Sequence, residues 1–221
     1  MPLNLPSAVV QKIMKLKSIK YDNGKCLLWG IPAVFSPNYV KVYDQGLMEK
    51  QFGVGKAMEF NHAIGKLQGI QGTKFIVDRF GYAETIKDKQ KLLEFISGQT
   101  EMVGIGKFEW VRMDFKSNHF IIKGTSPFAE EYQRFFGQQK APVDYFLRGL
   151  FCGGIEAFVK EKLLCVETQC MSQGKKECEF VIKPIKDWDM KDPKVKAQLV
   201  KDLADFKKLG SKKEPYVILG K

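Results

Sequence analysis

Two cysteines, Cys170 and Cys178, have the spacing in this chain best suited to carry chemistry. They flank Ser172-Gln173-Gly174-Lys175, turn chemistry between two β-rich runs. If the hairpin turns about Gly174, positions 170 and 178 face each other across the strands, with Cβ atoms about 4.5–5.5 Å apart. The same register sets Val166 opposite Ile182 and Thr168 opposite Phe180. Both cysteines then share the face that Leu164, Phe180 and Ile182 mark as buried. Such a pair can be thiolates on a metal, a disulfide, or two small apolar core residues. Cys26 and Cys165 read as structural. The chain has only two histidines, His62 in mid-helix and His119 at a strand start, which excludes a His-rich metal centre. Gly53-Val54-Gly55 and Gly104-Ile105-Gly106 have no third glycine at the dinucleotide spacing, and G-x-x-x-x-G-K-[ST] does not occur, so the motifs give no nucleotide cradle.

The elements that must position these residues are legible in outline. Turn residues at Tyr21-Asp22-Asn23-Gly24 precede a β-rich run over 25–35. Met48, Phe52, Met58, Phe60, Ile64 and Leu67 recur at roughly helical spacing. Gly46, Gly53, Gly55 and Gly65 either weaken that helix or mark a close backbone approach. Residues 73–80 read as a short strand or the end of that helix, and 83–99 as a firmer helix. A β-hairpin follows over 107–115 and 119–124, and Ser126-Pro127 opens a capped helix. From 142 to 160 a helix carries a continuous apolar stripe from Val143 to Val159, interrupted by Gly149, Gly153 and Gly154. Each glycine costs that helix about 1 kcal/mol relative to alanine, so close packing on a sheet, a helix or a ligand is expected. The cysteine hairpin comes next, and Val195, Leu199, Val200, Leu203 and Phe206 predict an amphipathic C-terminal helix. Hairpins interleaved with helices, without βαβ alternation, give an α+β fold with an antiparallel sheet packed against helices.

Composition narrows the partners. The net charge is +11, yet only four of the 36 basic residues are arginine. The excess is concentrated in 1–25 and 185–221, the pattern of a solvated lysine-rich surface rather than an arginine-rich nucleic-acid stripe. No specific nucleic-acid contact is expected. No apolar run reaches the length of a transmembrane segment, and the N-terminus lacks the pattern of a signal peptide, so a cytoplasmic protein is expected.

The segment from Phe146 to Pro184 resembles the 4-vinyl reductase-like domain over about 40 of the 221 residues. It has the glycine helix with Gly149 and Gly153, then Val166-Glu167-x-x-Cys170, Gly174, and Cys178-x-Phe180. The resemblance implies a single α+β domain over 1–184, with the family segment at about 121–184, and a lysine-rich extension over 185–221. It also implies a fold related to the vesicle-tethering subunits of the transport-particle complex, and a homodimer. In aromatic-sensing members a zinc site braces the pocket with a helix cysteine, a glutamate and two hairpin cysteines. Carried over, these fall on Asp144, Glu167, Cys170 and Cys178, with Asp144 standing where the family has cysteine. Cys152 is the alternative fourth ligand, although eight residues along a helix means about 12 Å of rise and about 80° of rotation. Strict alternation puts Glu167 on the face opposite Cys170, so joint ligation requires a bulge or strong twist. Four protein ligands would close the site and make the zinc structural.

Trp110, Phe146, Leu150, Phe151 and Phe180 are the candidate pocket lining. The expected function is binding or sensing of an apolar or aromatic small molecule. The alternatives are a reductase of tetrapyrrole metabolism, suggested by the family name alone, and a protein–protein adaptor of the vesicle-tethering type. The sequence has neither a nicotinamide nor a flavin fingerprint, which points to binding rather than catalysis.

Overall fold

The computed structural model describes residues 19–28, 31–34, 36–80, 85–159 and 161–204 of the chain. Three short strands, β1 (Ile19–Asp22), β2 (Lys25–Leu28) and β3 (Ile31–Ala33), precede three helices, α1 (Asn38–Phe52), α2 (Val54–Phe80) and α3 (Ile86–Met102). The hairpin of β4 (Lys107–Asp114) and β5 (His119–Thr125) leads to α4 (Pro127–Phe136) and α5 (Tyr145–Val159). The second hairpin, β6 (Leu163–Gln169) and β7 (Cys178–Pro184), is followed by a single helical turn, α6 (Pro193–Lys196). The strands form two antiparallel sheets, β1-β2-β3 and β4-β5-β7-β6. The fold is α+β. No helix among the described residues is long and apolar enough to cross a membrane.

Capping chemistry sets several boundaries. Thr85 and Asp88 form a reciprocal capping box at the start of α3. Ser126 caps α4 ahead of Pro127. Gly53, at φ +83°, breaks what would otherwise be one helix into α1 and α2. Residues 73–80 belong to α2, where Thr73 and Ile76 are buried.

The glycines of α2 and α5 serve each other. A Cβ on Gly149 would lie 2.0 Å from the His62 carbonyl oxygen, and one on Gly153 2.2 Å from that of Lys66. Across the contact, a Cβ on Gly65 would lie 2.0 Å from the Phe146 oxygen, and one on Gly69 2.2 Å from that of Leu150. Two pairs of glycines four residues apart thus let the helix backbones touch. The expected reason for the α5 glycines is a partner helix.

On its other side α5 covers the four-stranded sheet. Leu147, Phe151 and Ile155 pack against Phe108, Phe120, Ile122, Phe180 and Ile182. The Phe108, Phe151 and Phe180 rings meet edge-on, with centroids 5.1 to 6.0 Å apart.

Two expectations need correction. The register of the second hairpin is one residue off over most of its length: Cys165 pairs with Ile182, Val166 with Val181 and Glu167 with Phe180. Thr168 then bulges out, and Gln169 pairs with Glu179, restoring the register expected nearer the turn. Leu164 therefore lies on the outer face, packed with Val166, Val195 and Trp188. The C-terminal amphipathic helix is likewise only one turn long. Beyond it 197–204 is irregular, because Gln198 and Asp202 bond to the body of the domain instead of continuing a helix. Phe206 lies outside the described residues.

Candidate functional site

Four buried side chains converge where α5 meets the second hairpin. Asp144 immediately precedes α5 and its carbonyl receives the Arg148 amide at 3.0 Å. Glu167 ends the regular part of β6, Cys170 follows that strand, and Cys178 opens β7. One ligand atom from each of Asp144, Glu167, Cys170 and Cys178 lies within 4.8 Å of the other three. The bulge at Thr168 makes this arrangement feasible, since it absorbs one residue and turns Glu167 to the side of Cys170.

Hydrogen bonds fix the group. The Ser126 hydroxyl donates to Asp144 Oδ1 at 2.8 Å while accepting the Ala129 amide at 3.2 Å. The Asp144 amide donates to Glu167 Oε2 at 3.2 Å, which seats that carboxylate at the N-terminus of α5, where negative charge is favoured. The Cys178 thiol donates to Asp144 Oδ2 at 3.2 Å and accepts the Met171 amide at 3.3 Å. Cys170 Sγ and Ser172 Oγ are 3.0 Å apart.

The electrostatics follow from crowding acids in a dry place. Burial, then the Cys170 charge, raises Asp144 to about 7. Burial, then the Asp144 charge, pushes Glu167 well up. Hydrogen bonding from Cys178 is the main cause that lowers Cys170, to about 5, and the same contact with burial raises Cys178. Glu167 Oε1 is buried without a hydrogen-bond partner. A tetrahedral group of two sulfurs and two carboxylate oxygens, one of them lacking any donor, suits a zinc-class divalent cation better than magnesium or calcium.

Cys152 is not part of the group. It sits two turns further along α5, with its thiol donating to the Leu163 carbonyl at 3.3 Å. Cys165 is buried in the core, and Cys26 is half-buried in β2.

The candidate pocket residues divide. Trp110, Leu150 and Phe151 line a small space between α3, β4 and α5, together with Leu93, Ile96, Gly154 and Ile155. It leaves about 10 Å³ for the centres of water-sized spheres, room for one water. The Trp110 indole closes it by donating to the Leu93 carbonyl at 2.9 Å. Phe180 does not line this space, being sealed between Phe108 and Phe151. Nor does Phe146, which is stacked beneath the Lys41 ammonium at 4.7 Å. The residue pattern placed both rings on apolar faces but could not show which faces the core had already filled.

Three residues escaped the sequence reading. Arg148 is fully buried one turn after Asp144, and its guanidinium donates to the carbonyls of Cys165, at 3.1 Å, and Gln198. A lone arginine within the apolar stripe of α5 was the available signal. Ser126 was visible as a helix cap, but nothing local tied it to Asp144. Gln198 gave no signal at all.

Residues 126–184 match the family model of the vinyl-4-reductase domain. The chain is 28% identical over 145 residues to the phenol regulator MopR of Acinetobacter guillouiae, a match that covers 58% of this chain and 26% of that protein. It thus spans about a quarter of that relative's length. Among solved structures, the phenol-responsive sensory domain of the transcription activator PoxR with phenol superposes with a TM-score of 0.73 at 14% identity, covering 89% of this chain and 99% of that one. This is a likeness of fold. A vinyl-4-reductase family protein from Methanocaldococcus jannaschii gives a TM-score of 0.43 at 17% identity, over 84% of this chain and 99% of that one.

Proposed function

We propose that this chain, whose residues 126–184 match the vinyl-4-reductase domain, binds or senses an apolar or aromatic small molecule on a scaffold braced by structural zinc. The observation that carries the reading is the convergence of Asp144, Glu167, Cys170 and Cys178 within 4.8 Å, at the start of the helix whose middle lines the apolar space. Bound there, zinc would neutralise the acids and cross-link α5 to the second hairpin. The protein's own residues do the rest. Glu167 pairs with Phe180, Phe180 packs on Phe151 at 5.1 Å, and Phe151 lines the space. The brace thereby sets one wall. The opposite wall is the Trp110 indole, held on Leu93 by one hydrogen bond, and a ligand enters by displacing it. The phenol named for both the curated relative and the sensory-domain neighbour supports the ligand class. The reading extends to a homodimer in the cytoplasm. Buried thiols without disulfides suit a reducing compartment, and exposed aromatic side chains on α1 and α4 suit a second copy.

Native mass spectrometry of the full chain reports subunit number, metal and retained small molecule together. The expected result is one zinc per chain, lost in Cys170→Ser and kept in Cys26→Ser. Phenol and toluene as probes are expected to raise Tm and change Trp110 fluorescence. Reduced protein that takes up no zinc would sink the brace, and indifference to both arenes would sink the ligand class.

A further inference from the structure

The outer edge of β6 is closed by a side chain from the far end of the described chain. β6 pairs only with β7, so the main-chain groups of Cys165 and Glu167 that point away from β7 need other partners. Gln198 supplies them as a peptide group would. Its Oε1 accepts the Glu167 amide at 2.9 Å and its Nε2 donates to the Glu167 carbonyl at 2.9 Å. The Arg148 Nε takes the Cys165 carbonyl at 3.1 Å, and the same guanidinium donates to the Gln198 main-chain carbonyl. Further along, Asp202 pairs with Lys162 at 2.9 Å and with the buried Lys66 at 3.3 Å.

Segment 197–204 is therefore fastened to the residue whose side chain enters the four-donor group. On the other flank it is fastened to Arg148, whose own amide binds the Asp144 carbonyl at 3.0 Å. Glu167 has its main chain held by Gln198 and its side chain held at the centre, and whichever attachment forms first removes disorder the second would otherwise have to remove. The two attachments must then strengthen each other by the same factor.

We propose that segment 197–204 is a strap whose docking is coupled to metal occupancy, with Gln198 and Arg148 as positioning residues for Glu167 and Asp144. This rests on the zinc reading above. Zinc tightens the strap, and the docked strap tightens zinc. Loss of the metal loosens the chain where it leaves the domain, which gives the site an outlet to whatever follows residue 204.

Hydrogen–deuterium exchange of the full-length chain with and without added zinc chloride, alongside metal analysis, tests this. The expected result is one zinc bound and severalfold slower exchange over 197–204, with α3 unchanged. Gln198→Ala is expected to weaken zinc about tenfold, as loss of an outer partner does. Because the first arm uses the unmodified chain, the outcome does not hang on the variant folding. Zinc bound with exchange over 197–204 unchanged, or a folded Gln198→Ala that binds zinc as the unmodified chain does, overturns the coupling alone. No zinc bound by the unmodified chain overturns the metal reading and the coupling with it.

Discussion

At the scale of single residues, Ser126 has two tasks that usually fall to different side chains. It caps α4 through the Ala129 amide and holds Asp144 through its hydroxyl proton. Ser126→Ala is expected to cost about 1 kcal/mol as a lost cap. It should also weaken zinc about 10–100-fold, as loss of a partner to a ligand does. Chemical denaturation and chelator competition measure the two separately. His62 makes a second residue-scale case. Burial, then the charges of Arg148 and Lys66, lowers it from 6.5 to about 3, with Asp202 opposing weakly. It stays neutral in the folded protein while the unfolded chain takes up a proton below about 6.5. The unfolded state then binds more protons, so stability falls as pH drops from about 6.5 towards about 3. The slope from this group is on the order of 1.4 kcal/mol per pH unit. Urea unfolding at several pH values is expected to show it, and His62→Gln to flatten it.

At the scale of elements, the crossing of α2 and α5 decides which glycines matter. Gly149→Ala drives a methyl into the His62 backbone oxygen at 2.0 Å, and the cost is expected to reach about 1–3 kcal/mol or more. Gly72, on the same long helix α2, meets nothing within 4 Å. Gly72→Ala is expected to gain about 0.5–1 kcal/mol from helix propensity. Thermal unfolding of the pair separates packing from propensity. The bulge at Thr168 is the other decision taken at this scale. Without it Glu167 and Cys170 would point to opposite faces, and the four donors could not meet.

At the scale of the whole molecule, one surface stands out. Tyr39, Tyr43 and Leu47 form an i, i+4, i+8 stripe on α1 that is about half exposed, at 47%, 46% and 64%. The Tyr43 ring reaches Phe135 and Phe136 of α4 at 5.0 and 6.2 Å. An exposed aromatic patch of this kind marks an interaction surface. Leu47→Glu places a charge at its centre and is expected to convert the proposed dimer to a monomer without lowering Tm by more than a few degrees. Light scattering coupled to size exclusion checks this, and a dimer unchanged by the substitution would place the interface elsewhere.

The sequence by itself determined the elements and the type of chemistry. Periodicity placed α3, α4, α5 and both hairpins of the larger sheet within a few residues, because each is specified by neighbours three, four or two positions away. Motif order singled out Asp144, Glu167, Cys170 and Cys178, and the structure brings those four together. Only the tertiary structure decided the rest. Thr168 is not marked locally as a bulge, and the register error over Leu164 and Val166 followed from that. The α5 glycines answer to His62 and Lys66, more than 80 residues away, and Gln198 completes an edge 31 residues upstream. The C-terminal helix fails for the same reason: Gln198 and Asp202 gain buried partners that helical periodicity cannot see. Local pattern fixes which face is apolar, whereas which apolar face is filled, and by what, depends on residues far apart in the chain. That is why the metal donors were legible and the pocket wall was not.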